Sequence, residues 1–237
     1  MVVMPMVASG RHAHDLVVSA GSAVPLSTTA AIAGGVIAAV LAFGLWSFSG
    51  HVITIAHEGG HAVAALLLGG RILQVRLNPD RSGSTASSAA LLQLPVTFAG
   101  YVGPSAFGLV GCLLLVHGRA DAVLWVSLVL LALLLLTTAN WFGRFVLVVV
   151  GAALVATLLR GSPDTRVLIA CAWVWLLLIG GVLHVWDHRR GGADFAAMRA
   201  MTTLVPAGVW AWITVLTSVA ALLLGGAWLL GAAAPPS

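Results

Sequence analysis

The sequence predicts an all-α polytopic membrane protein of about seven transmembrane helices, with a short membrane-associated β-hairpin near residues 71–88. Three observations carry that expectation. Of 237 residues, 60% are hydrophobic and only 8% charged, about a third of the charge that coats a soluble domain. Apolar runs of roughly 20 residues, the length that crosses a hydrocarbon core of about 30 Å, follow one another along the chain. Between the second and third runs, apolar and polar residues alternate instead. The same composition excludes disorder, which needs low hydrophobicity and high charge.

Residues 1–25 carry Arg11, His12, His14 and Asp15 without an apolar run and read as a cytoplasmic N-terminal tail, ahead of one transmembrane domain over 26–237. The first hydrophobic stretch begins too late and runs too long for a cleaved signal peptide. Expected spans fall at about 27–48, 50–70, 89–116, 121–139, 141–159, 166–186 and 206–231. Residues 124–159 are almost uninterrupted, but one helix of that length would reach about 54 Å, so a turn is placed at 140–144. In 71–88, Leu73, Val75 and Leu77 alternate with Gln74, Arg76 and Asn78, and Pro79, Asp80 and Gly83 mark a turn, a strand-and-turn pattern. The third span contains Pro95 and the run Gly100-Tyr101-Val102-Gly103-Pro104-Ser105. That run is either an ordinary proline kink or the wall of an aqueous site, since freed backbone groups at membrane depth need protein or water around them.

All 11 basic residues are arginine. With the N-terminus in the cytoplasm, inside segments hold Arg11, Arg71, Arg76, Arg81, Arg144, Arg189, Arg190 and Arg199, and outside loops hold Arg119, Arg160 and Arg166. Eight against three gives an N-in, C-out expectation, in the membrane of a bacterial cell. Arginines scattered between apolar runs do not make the basic stripe that binds phosphates, so nucleic acid is not an expected partner; the lipid bilayer is. Cys112 and Cys171 lie inside apolar runs as small buried hydrophobes.

The second span reads His51-Val-Ile-Thr-Ile-Ala-His57-Glu58-Gly59-Gly60-His61 and contains HExxH. Four residues advance a helix by about 400°, so His57 and His61 share a face and can share a metal ion. Glu58 is too close in sequence for a comfortable third ligand and is placed to take a proton from the attacking water. Shuffling this composition produces the pattern about once in a thousand trials. A charge inside a span costs at least about 2.5–3.5 kcal/mol, and the only glutamate of the chain stands there between two histidines. The bland alternative is a set of polar residues hydrogen-bonded between helices; the expected cofactor is zinc.

Other residues join this motif: Gly69-Gly70-Arg71, then Leu77-Asn78-Pro79-Asp80 with Ser82-Gly83-Ser84-Thr85, the 100–105 run, and a late segment with Ala193-Asp194-Phe195-Ala196, Met201-Thr202, Pro206 and Trp210. Together they resemble the M50 metallopeptidases, the site-2-protease class of intramembrane proteases, and most closely their M50B-like branch. The usual N-x-x-P-x-x-x-L-D-G signature, which supplies the third ligand of that class, is absent. Asp194 stands in the position resembling the branch's Ser-Asp-Ala motif, with a helix N-cap as its bland alternative. Asp187, beside Arg189 and Arg190, is the other candidate, and Asp80 reads as a turn residue. His184-Val-Trp-Asp187-His188 spells an inverted HxxDH, but interfacial aromatic and basic residues explain it more simply.

The resemblance implies an intramembrane zinc metalloendopeptidase that cleaves an unwound transmembrane helix of a membrane-protein substrate. It implies a metal on His57, His61 and Asp194, Glu58 as the catalytic base, and the 71–88 strand as a docking edge. Asn140 could assist the oxyanion, although a helix-end role fits it better. The rival class is a transporter or a metal or haem carrier using the same histidines. A transporter calls for two related halves, which this chain lacks, and a haem carrier has no need of Glu58.

Overall fold

The computed structural model describes residues 25–88 and 92–236; the expected tail, with Arg11, His12 and His14, lies outside them. In chain order the elements are α1 (Thr28–Ala39), a π-turn (Val40–Gly44), α2 (Trp46–Leu67), β1 (Ile72–Leu77), β2 (Gly83–Ser87), α3 (Gln93–Val116), α4 (Ala120–Thr137), α5 (Trp141–Arg160), α6 (Pro163–His188), α7 (Ala193–Thr202) and α8 (Ala207–Leu229). The expected hairpin, the turn near 140 and the long apolar helices are all present.

Five of the seven expected spans, α3, α4, α5, α6 and α8, are helices long and apolar enough to cross a membrane. The first two expected spans are instead one pair, bent by 105°, which adds at most one span. The backbone reason is local. Leu45 leaves the helical region at φ −125° and ψ 31° after the π-turn. Ser49 Oγ then donates to Leu41 O at 2.7 Å, reinforcing the long 3.3 Å bond that this carbonyl accepts from Leu45 N across the break. Helix α2 therefore runs nearly across the direction of α1.

The hydrogen-bonded register of the hairpin pairs Val75 with Thr85, Arg76 with Ser84 and Leu77 with Gly83. Asp80 Oδ1 accepts from Ser82 N and Oγ at 3.0 and 2.7 Å, the Asx geometry of a turn residue, and these bonds hold its carboxyl below the usual carboxylate range. The outer edge of β1 is occupied: Ala139 N donates to Val75 O at 2.9 Å. The Asn140 amide also grips Leu77, accepting from its N at 3.2 Å and donating to its O at 2.5 Å. Asn140 thus sits at the start of α5 as expected, yet its side chain clamps the sheet.

Small residues bring the long helices together, as in membrane bundles generally. A Cβ at Gly103 would lie 2.9 Å from Ala56 O, so α2 and α3 touch backbone to backbone. Gly108 abuts Leu178 and Gly111 abuts Val174, so α3 runs antiparallel to α6; Gly225 abuts Leu178 and Val215 packs with Val185, so α8 does too. Helix α1 runs the other way: Gly34 abuts Cys171, while Trp46 Nε1, just past its end, donates to Asp187 at 3.2 Å. Helix α1 is therefore parallel to α6. One end of the bundle gathers the α1–α2 bend, the hairpin, the α4–α5 turn, the close of α6 and all of α7. Pro104 lies inside an unbroken α3, and Pro95 falls in its first turn, where no helical N–H is lost.

Candidate metal centre

Helix α2 buries one continuous stretch from Ile53 to Ala62, so that His57, Glu58 and His61 are each less than a tenth exposed. The i, i+4 spacing brings His57 Nε2 to 3.1 Å from His61 Nε2. The His61 ring rests on α3, where its Nδ1–H donates to Val96 O at 2.8 Å. It can do so because residue 100 is glycine; a Cβ there would overlap the ring.

The third member comes from the far end of the chain. Asp194 stands in the first turn of α7, and its Oδ2 lies 3.1 Å from His57 Nε2 and 3.2 Å from His61 Nε2. Helix α7 is held there by apolar contacts: Phe195 stacks on Tyr101 at 4.0 Å and 4°, and Met198 is fully buried. Gly192 admits the Tyr101 hydroxyl where any Cβ would collide with it. Burial pushes the Asp194 carboxyl up, but the two imidazole nitrogens beside it outweigh that and hold it well below the usual carboxylate range.

These three atoms are placed to share one cation. His61 already donates from Nδ1, so the neutral ring presents a lone pair at Nε2. That lone pair faces a second imidazole nitrogen and a carboxylate oxygen. With His57 in the same tautomer, three acceptors would converge within 3.2 Å, an arrangement that a shared proton or a bound cation relieves. Around zinc, with bonds of about 2.0–2.1 Å, tetrahedral ligand atoms stand about 3.3–3.4 Å apart, and the donor types are those zinc takes. The residues fit the ion. Among the described residues, His57, His61 and Asp194 form the one group of three side chains placed to hold a metal.

Glu58 is held from the other side by the hairpin. Thr85 Oγ1 donates to Glu58 Oε2 at 2.7 Å, and a Cβ at Gly83 would overlap the carboxylate. The hairpin tip is itself tied to α2: Thr54 Oγ1 is 2.7 Å from Arg81 O, and His51 Nε2 lies 3.3 Å from Pro79 O.

The remaining sequence candidates fall elsewhere. Asp187 is exposed and bonded to Trp46, away from the histidine pair. His184 is buried with its ring 4.8 Å from that of His57, while His188 Nδ1 donates to the His184 carbonyl, so the HxxDH residues do not assemble a site of their own. His117 donates to Leu113 O in the last turn of α3. Sequence reasoning gave no role to Thr85 or Tyr101. The available signals were a hydroxyl two residues past a hairpin glycine and the only tyrosine of the chain.

Comparison with known families gives one match: the family model described as Peptidase M50B-like aligns with residues 29–225. No curated protein and no solved structure gives a significant match.

Proposed function

Since the chain belongs to the M50B-like peptidase family, we propose that it is an intramembrane zinc metalloendopeptidase that cleaves transmembrane segments of membrane proteins. The observation that carries this reading is the convergence of His57, His61 and Asp194 beside the only glutamate of the chain, among long apolar helices. His57 Nε2, His61 Nε2 and Asp194 Oδ2 would hold the ion. Bound zinc supplies a Lewis acid that polarises a peptide carbonyl and lowers the pKa of water towards about 7.

The chain's own groups do the rest. Glu58 takes the proton of the attacking water and returns it to the leaving amine. Thr85 fixes which way its carboxylate points. A helical peptide bond is shielded by its own hydrogen bonds, so the substrate must unwind. The edge that can receive it is β2 rather than β1, whose outer edge is closed by 138–140. Thr85 pairs with Val75, whose carbonyl points away from β2, so the Thr85 backbone points outward on the opposite edge, beside Glu58. A transporter or haem carrier needs neither Glu58 nor a strand laid against it.

The packing also supports a topology different from the sequence expectation. The 17 residues of Thr28–Gly44 span about 26 Å, enough for one crossing, and α2 then turns across the bundle end. That gives six spans. The site end holds Arg71, Arg76, Arg81, Arg144, Arg189, Arg190 and Arg199; the other end holds Arg119, Arg160 and Arg166. Because α1 is parallel to α6, its start at Thr28 lies at the second end, and the described arginines stand seven against three. We therefore place the site at the cytoplasmic face and the start of α1 outside.

The test is purified wild type against Glu58→Gln, with bound metal and haem absorbance measured. Cleavage of a panel of co-expressed single-span membrane proteins is scored alongside. Zinc at one equivalent in both, and turnover lower by about 10²–10⁴-fold in the variant, is expected. Equal cleavage by Glu58→Gln, or haem in place of zinc, refutes the proposal.

A further inference from the structure

Metal-bound imidazoles almost always donate their second ring N–H to an acceptor, and loss of that acceptor typically weakens metal binding about 10–100-fold. His61 follows the rule through Val96 O. His57 does not: its Nδ1 is buried without a protein partner. Two side chains flank that ring. Tyr101 meets it edge-on, with centroids 4.8 Å apart, its ring stacked on Phe195 and its hydroxyl packed against Gly192. His184 lies at the same distance, tilted by 52°, and is 5% exposed. The one polar contact made to His184 by a neighbouring histidine, from His188 Nδ1, goes to its carbonyl and leaves the ring free.

We propose that His184 is a positioning residue for the metal. Its ring accepts the Nδ1–H of His57, directly after a small rotation or through one water, and so keeps the His57 Nε2 lone pair aimed at the ion. The inference rests on the zinc site proposed above. It gives a task to the buried histidine of the HxxDH sequence, and it explains why a ring with a nitrogen acceptor, rather than an aliphatic side chain, packs against His57.

The probe is Co(II), titrated into the full-length protein in detergent against a competing chelator, with its visible absorption reporting coordination geometry. His184→Phe, which keeps a ring and loses the acceptor, should weaken Co(II) binding about 10–100-fold and alter the spectrum. His184→Gln, which restores an acceptor, should recover most of both, and Gly208→Ala, in open space, should change neither. Should His184→Phe fail to fold, His184→Gln and nitrogen-15 histidine NMR of the zinc-loaded protein suffice. The His57 Nδ1–H should exchange slowly in the wild type and shift in that variant. Unchanged affinity and spectrum in His184→Phe, or an unmoved His57 resonance, overturns the inference. A wild type that binds no Co(II) overturns the zinc site and the inference together, whereas wild-type binding that His184→Phe leaves intact removes the inference alone.

Discussion

Replacing Asp194 by alanine removes one of three converging ligand atoms while leaving its helix docked. The Phe195–Tyr101 stack and the buried Met198 hold α7 without help from the carboxylate. Structural zinc sites bind with about 10–16 kcal/mol; shared over four ligands, each is worth about 3–4 kcal/mol, or about 10²–10³-fold in Kd. Asp187→Ala is the matched control. It loses one exposed hydrogen bond to Trp46 Nε1, worth about 0.5–1.5 kcal/mol of stability, and no contact with the histidines. The assay is zinc competition with a chelating indicator on each purified variant, with circular dichroism to confirm that the helices persist. Asp194→Ala should release zinc at indicator concentrations that leave the wild type loaded, and Asp187→Ala should behave as wild type. Zinc lost from Asp187→Ala and kept by Asp194→Ala would refute the ligand set.

Gly100→Ala places a methyl group inside the His61 ring, and relief by moving α2 off α3 opens the close Gly60–Gly103 contact; zinc affinity should fall about 10–100-fold, with about 1–3 kcal/mol of stability lost. Gly208→Ala, with open space around it, should lose neither in the same thermal-unfolding and zinc measurements. Thr85→Val deletes the donor to Glu58 Oε2 and should lower kcat about 10–100-fold at unchanged zinc content, with Thr85→Ser restoring it; a fully active valine variant would remove Thr85 from the mechanism. Reporter fusions after residues 80 and 195 should read cytoplasmic and those after 119, 163 and 235 external, together with an external tag ahead of residue 25. A cytoplasmic N-terminal tag would restore the seven-span arrangement.

Much of this molecule is legible locally. A composition with 8% charge dictates a membrane protein, because no arrangement of so few polar groups can coat a globule. The pairing of His57 with His61 follows from helical periodicity alone, and the hairpin follows from alternation and a Pro-Asp turn. The five long helices follow from runs of apolar residues. Each of these features is set by residues within about two turns, or one hairpin, of one another.

What the tertiary structure decided lies between residues far apart in the chain. Asp194 and Asp187 are seven positions apart and equally acidic. Only the docking of α7 on Tyr101 puts the first beside His57, 137 residues earlier, while the bend at Leu45 gives the second to Trp46. The same holds for Val96 under His61, for Thr85 on Glu58 and for Asn140 on the edge of β1. The span count turned on the bend as well. Helix α2 is long enough to cross, but its polar face meets Asp194, Val96 and the hairpin only by lying across the end of the bundle. Periodicity tells which residues share a face; it carries no information about which distant side chain that face will meet. That choice belongs to packing, made here through glycines that let helices touch and an aromatic stack that seats Asp194.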